Sequence, residues 1–245
     1  MPTLQDLLYA SSEPQLVELP SGAIATVLEM TGADQRNFSD RTKIANGQAI
    51  NELLERCVDT VDGEKPTKEQ LLDMLSGDRK ALMFNIRKFS IGDEFLFKSK
   101  CPACGEASDW ELTLSESEFP VRPYKIPGGA KTVEAPSKIL PGLTWKFQML
   151  DGHAELKAIR LRNKATSMSD LDLRQIQASP EPGAPYSPVN LDKLSDKLIA
   201  ELRATVKEYE GDLDDEVRLT CPKCAGEVTF HLMGVQDFLI PGATS

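Results

Sequence analysis

Five cysteines occur in this 245-residue chain, and four of them form two Cys-x-x-Cys pairs, "CPAC" at 101–104 and "CPKC" at 221–224. A cysteine thiolate is at once a nucleophile, a redox centre and a metal ligand. The spacing puts both sulfurs of a pair on one turn, and the glycines just beyond, Gly105 and Gly226, let the backbone curl around them. One such turn offers half of a tetrahedral coordination sphere. Cys101, Cys104, Cys221 and Cys224 together offer a closed all-thiolate set of the kind that holds structural Zn2+. A thioredoxin-like redox dithiol needs its pair at a helix N-terminus, whereas the residues after Cys104, "GEASDWELTL", lead into a strand pattern. Disulfides, local or between the pairs, are the remaining reading of the same four residues in an oxidising medium.

Zn2+ is thus the expected cofactor, in a structural role, because four thiolates leave no open position at which water could be activated. No alternative catalytic set stands out. The two histidines read as an exposed strand position (His231) and a first-turn helix residue (His153). Asp212, Asp214 and Asp215 read as solvating a loop, and Cys57 as a small hydrophobe on an apolar helix face. His-Glu-x-x-His, Gly-x-Ser-x-Gly and phosphate-cradling glycine motifs do not occur, so no enzyme activity is expected.

The elements that position the thiols repeat along the chain. Cys101 and Cys104 recur as Cys221 and Cys224 at an offset of 120, and Pro102 recurs as Pro222. At that offset Leu82, Ile86, Phe89, Phe97, Trp110 and Leu112 map onto Leu202, Val206, Tyr209, Val217, Phe230 and Leu232. Upstream, "ELPSGAIATVLEMTGADQ" (18–35) has a counterpart in "ILPGLTWKFQMLDGHAEL" (139–156). This predicts an α+β fold built as a tandem duplication of a strand-helix-helix-strand-knuckle-strand unit, the copies joined by one shared four-cysteine site. Residues 1–119 form the first unit, 120–137 a Pro/Gly-rich linker, and 138–245 the second unit with a proline-rich loop at 179–190. The duplication also accounts for the 116 residues between Cys104 and Cys221, where a zinc ribbon has about 15–20.

Within the first unit, Ala23–Met30 reads as a strand and Thr31–Asp34 as a turn into a helix. Ile50, Leu53, Leu54, Cys57, Val58 and Val61 follow a helical period, Thr67 and Gln70 form a capping box, Asp78–Phe89 is an amphipathic helix, and strands at 93–100 and 108–114 flank the knuckle. The second unit has a strand at 143–150, helices at 152–164 and 191–208, then strand, knuckle and strand.

A net charge of −10 argues against a phosphate-binding protein, and the basic stretches 79–88 and 160–164 read as solvated helix faces. Hydrophobic content of 40% argues against disorder. Neither a signal peptide over Met1–Tyr9 nor an apolar run of membrane-spanning length is present, so a soluble protein made in cytoplasm is expected.

Leu19–Gly22, Thr31–Asp34, Leu53–Cys57, Gly77–Arg79, Cys101–Gly105 and the trailing "FPVRPY" follow one another in an order that resembles the phage baseplate hub proteins related to the T-even hub assembly subunit, with relatives in contractile injection systems. The resemblance covers the first unit directly and the second only through the repeat. It implies a non-enzymatic structural subunit of a contractile tail baseplate, made in the host cytoplasm, located in the virion and partnered by other tail and baseplate proteins. It leaves two rivals: an assembly factor that does not stay in the virion, and a zinc-ribbon nucleic-acid binder.

Overall fold

The computed structural model describes residues 13–115, 119–126, 130–162, 169–234 and 238–239. The sequence expectations for Met1–Tyr9 and Asn163-Lys164 fall outside these.

Mixed helix and sheet is the architecture. The described residues start with an antiparallel hairpin, β1 (Gln15–Glu18) and β2 (Ile24–Val27), turning at Gly22 with φ +87°. The turn into a helix expected at Thr31–Asp34 opens α1 (Gly32–Ser39), and it is made by a capping box in which Thr31 and Asp34 satisfy each other's backbone N–H. Short α2 (Arg41–Ala45) and α3 (Gln48–Cys57) follow, then β3 (Val58–Val61), which adds to β2 and completes the sheet order β1-β2-β3. The expected helical face therefore stops at Cys57. Val58 and Val61 continue the helical i, i+3 spacing, although three positions apart in a strand puts them on opposite faces; β-branched residues with a free strand edge at β2 favour the sheet.

Helix α4 (Lys68–Asp73) opens on the predicted Thr67–Gln70 capping box, and α5 (Ser76–Ile91) closes the first core over Val17, Leu19, Ala25, Val27, Leu53, Leu54, Leu82 and Ile86. Strands β4 (Glu94–Lys100) and β5 (Ala107–Thr113) form the first knuckle hairpin.

The span 120–137, read as a linker, contains two strands, β6 (Val121–Arg122) and β7 (Thr132–Pro136). Strand β7 pairs with β8 (Thr144–Gln148), which leads into α6 (Gly152–Arg162) and α7 (Asp170–Leu173). Next come β9 (Gln177–Ser179) and β10 (Ser187–Pro188), in the sheet order β10-β9-β8-β7. The proline-rich span was expected to be too poor in donors for sheet, yet Ser187 and Pro188 pair with Ala178 and Gln177. They do so as an edge strand, where a missing N–H is tolerated.

After a 3-10 turn, α8 (Asp196–Tyr209) covers a second core of Val133, Ala135, Trp145, Phe147, Leu202 and Val206. Strand β11 (Asp212–Leu213) pairs back to β6, and β12 (Glu216–Thr220) with β13 (Glu227–His231) makes the second knuckle hairpin.

The two hairpins pair in the same register at the offset of 120: Phe97 opposes Trp110, and Val217 opposes Phe230. Their inner faces meet in a third core with Phe84, Phe95, Phe119, Leu213 and Phe238, and Phe97 lies edge-on to Phe230 at 4.8 Å. Burying each such aromatic is worth about 1.5–3 kcal/mol, so this core contributes strongly to how the hairpins face.

The basic run 79–88 is not a solvated face. Arg79 is buried, donating to Leu71 O (2.7 Å), Asn51 Oδ1 (2.7 Å) and Glu155 (3.0 Å). Arg87 is also buried and donates to the carbonyls of Gly92, Glu94 and Phe238. Lys80 pairs with Asp215 at 2.7 Å and Asp212 at 3.0 Å. Asp215 is therefore a buried ion-pair partner and not a loop-solvating acid.

Candidate metal centre

Each pair of thiols sits on a turn built by the same backbone bonds. Cys101 N donates to Glu106 O at 2.8 Å and Gly105 N to Cys101 O at 2.9 Å; in the second hairpin Cys221 N donates to Gly226 O and Ala225 N to Cys221 O, both at 2.9 Å. These bonds force a left-handed residue at the fifth position, Gly105 with φ +73° and Ala225 with φ +57°. Glycine adopts that conformation freely; alanine does so at a cost of about 1 kcal/mol.

The hairpin register brings the two turns tip to tip. Cys101 Sγ lies 3.7 Å from Cys224 Sγ, and Cys104 Sγ lies 3.8 Å from Cys221 Sγ. All four sulfurs fall within 4.8 Å of one another. All four cysteines are free, with Cys101 and Cys221 buried and Cys104 and Cys224 exposed.

The two short contacts exchange with each other at the offset of 120, as a twofold relation between hairpins requires. The tips follow the same relation: Lys223 Nζ meets Glu106 Oε2 at 2.5 Å on one side, while on the other Ala103 packs against Gly226, where an added Cβ would fall 3.4 Å from the Ala103 methyl.

The separation fits a metal. Four sulfurs at about 2.3 Å from a central ion stand about 3.8 Å apart along each edge of the tetrahedron. The observed 3.7 and 3.8 Å match that edge and lie well outside a disulfide bond of about 2 Å. The donor set is soft thiolate, suited to Zn2+. The N–H groups of Cys224 and Lys223 point at Cys221 Sγ and hold its thiol below the ordinary value, whereas at Cys224 the Gly226 N–H is outweighed by the bonds to Cys104 and Cys101, which push that thiol up. Burial in the first core pushes Cys57 up to about 12, and it stays a protonated hydrophobe away from the cluster.

The remaining sequence candidates are placed as follows. His231 is on β13 with a largely exposed ring, and its Nδ1 is 3.1 Å from Asp215. His153 stands in the first turn of α6, 3.4 Å from Glu69 and 3.6 Å from Asp73. That exposed trio could also hold an ion by spacing alone, but Lys131 Nζ already lies 3.0 Å from Asp73. Two residues that no sequence pattern singles out, Glu106 and Lys223, bridge the knuckle tips. Their oppositely charged positions, fifth after one Cys and second after the other, are visible only once the tips are known to meet.

A family model described as T4 bacteriophage base plate protein matches residues 12–135, just over half of the chain. No curated protein and no solved structure matches it. Among the described residues no helix is long and apolar enough to cross a membrane.

Proposed function

The chain belongs to the T4 bacteriophage base plate protein family, and from that membership and the thiol geometry we propose that it is a non-enzymatic structural subunit of a contractile tail baseplate, held in shape by one Zn2+ on Cys101, Cys104, Cys221 and Cys224. Its role is geometric: a rigid adaptor between other tail and baseplate proteins, located in the virion tail. The observation that carries the metal reading is the pair of sulfur contacts, 3.7 and 3.8 Å, made by thiols 123 and 117 positions apart. A closed thiolate tetrahedron supplies binding energy without a reactive position, which suits a structural part.

A tandem duplication is the origin of the site in this reading. It is supported by the shared hairpin register, the matching turn bonds, and helices α5 and α8 that start 120 positions apart. The domain division follows with a modification: 120–137 is a connection that pairs with the second unit through β6 and β7 and does not hang free.

Two measurements test the proposal. Mass spectrometry of purified virions should detect the chain as a stoichiometric component; its absence from particles, with presence in infected-cell extracts, would move the reading to an assembly factor. Elemental analysis of the purified chain should give about one zinc per molecule, and Cys→Ser at any of the four positions should abolish it.

A further inference from the structure

In each of the two short sulfur contacts, one partner is buried and the other exposed: Cys224 faces solvent against buried Cys101, and Cys104 faces solvent against buried Cys221. An exposed thiol next to a second thiol is the arrangement that turns reversible oxidation into a disulfide, because the first oxidation product is captured before it is oxidised further. Cys57, buried in the first core, has no thiol beside it and is outside this arrangement.

We propose that the four thiols form a redox-convertible clasp in which a hydroperoxide oxidises Cys104 and Cys224 and the buried thiols of the opposite knuckle, Cys221 and Cys101, close on them as two disulfides between the hairpins. The Cys224 sulfur attacks one peroxide oxygen, the O–O bond breaks, water or alcohol leaves with the thiol proton, and the sulfur becomes a sulfenic acid. Cys101 Sγ then attacks that sulfur, an S–S bond forms, the S–O bond breaks, and hydroxide leaves with the thiol proton as water. Each pair thus gives two electrons to one hydroperoxide, and two hydroperoxides convert all four thiols.

The sulfurs close from 3.7 and 3.8 Å to a bond of about 2 Å. The Lys223–Glu106 ion pair and the Ala103–Gly226 contact keep the knuckle tips together while this happens. Two disulfides leave no thiolate to hold a cation, so covalent linkage replaces coordination and the hairpins stay joined. A particle built in reducing cytoplasm and released into an oxidising medium would make this change without coming apart.

The inference rests on the thiol geometry and stands whether or not a metal is held. The full-length protein, as purified and after chelator treatment, is exposed to hydrogen peroxide, alkylated under denaturing conditions and digested without reduction for mass spectrometry. The expected products join the peptide of Cys101 and Cys104 to both peptides carrying Cys221 and Cys224, with Cys57 alkylated. In Cys104→Ser a single bridge from Cys101 to Cys224 should remain, and in Cys101→Ser one from Cys104 to Cys221. Bridges confined to Cys101–Cys104 and Cys221–Cys224, or sulfinic and sulfonic acids at Cys104 and Cys224, overturn the proposal. Cross-hairpin bridges in a protein that carries no zinc would uphold it and defeat the metal reading; bound zinc with no cross-hairpin bridge would do the reverse.

Discussion

Lys80 on α5 reaches across 135 positions of sequence to place its ammonium 2.7 Å from the buried carboxylate of Asp215, just ahead of β12. The contact ties the helix of the first core to the base of the second knuckle hairpin. Burial pushes the Asp215 carboxyl up, but Lys80, the Met233 N–H and His231 outweigh it and hold the group below its ordinary value.

Because the folded-state value is depressed, Asp215 contributes stability that is complete above the unfolded carboxylate pKa of about 3.9 and is lost as pH falls through the lower folded value. Chemical denaturation from pH 7 to pH 2 should show an acid limb that is flattened in Asp215→Asn. Lys80→Met should be worse than Asp215→Asn at pH 7, by a cost on the order of 3 kcal/mol, because it strands a buried charge. Equal loss in both variants would remove Lys80 as the group that stabilises the carboxylate.

Tyr124 argues a second prediction. Its hydroxyl accepts from Gly77 N at 2.9 Å, its own N–H donates to Pro20 O at 2.9 Å, and its ring lies on Gly211. A Cβ at Gly211 would fall 2.3 Å from the ring and 2.6 Å from the Tyr124 nitrogen, and one at Gly77 would fall 2.3 Å from Gly211 O. These neighbours include backbone and cannot swing aside. Gly211→Ala and Gly77→Ala should each cost about 3 kcal/mol or more, and Tyr124→Phe about 1–3 kcal/mol by orphaning the Gly77 N–H. Urea midpoints at unchanged slope measure this directly.

The sequence disclosed the knuckles, the Thr67–Gln70 capping box and the repeat of the hairpins at an offset of 120, because each depends on residues a few positions apart or on an exact offset. It did not disclose where α3 gives way to β3, since Val58 and Val61 continue the helical period and the switch is made by pairing with β2. The burial of Arg79 and Arg87 was hidden for a related reason: their acceptors are largely backbone carbonyls and distant side chains such as Asn51 and Glu155, which no local pattern marks. Proline and glycine made 120–137 look like a tether, yet β6 and β7 find partners in β11 and β8, about 90 positions and about a dozen positions away respectively. At the candidate site the ligands were readable and the Glu106–Lys223 bridge was not.

The aromatic contact between hairpins gives a third prediction. Phe97 and Phe230 hold the inner faces together at 4.8 Å, directly below the knuckle tips. Phe97→Ala should cost about 3–5 kcal/mol. If the hairpin core pre-positions the thiols, the same variant should weaken zinc retention in a chelator competition, while Leu53→Ala, in the first core, should lower stability without changing chelator sensitivity beyond that global loss.

A last prediction separates the two turns. Gly105 and Ala225 occupy equivalent left-handed positions, with φ +73° and +57°, yet only one of them is the residue that conformation favours. Ala225→Gly should relieve the strain at φ > 0, though the added chain freedom in the unfolded state offsets part of the gain, so a net rise of up to about 1 kcal/mol is expected. Gly105→Ala should lower stability by a similar amount; an added Cβ there meets nothing within 4 Å, so the loss is conformational and not steric. Neither change touches a sulfur, so zinc stoichiometry should be unaltered in both. Opposite signs in the two midpoints with equal metal content would show that the knuckles fold as the same turn and that the first is the less strained of the two. A loss on Ala225→Gly would mean that its methyl makes a contact that outweighs its backbone strain.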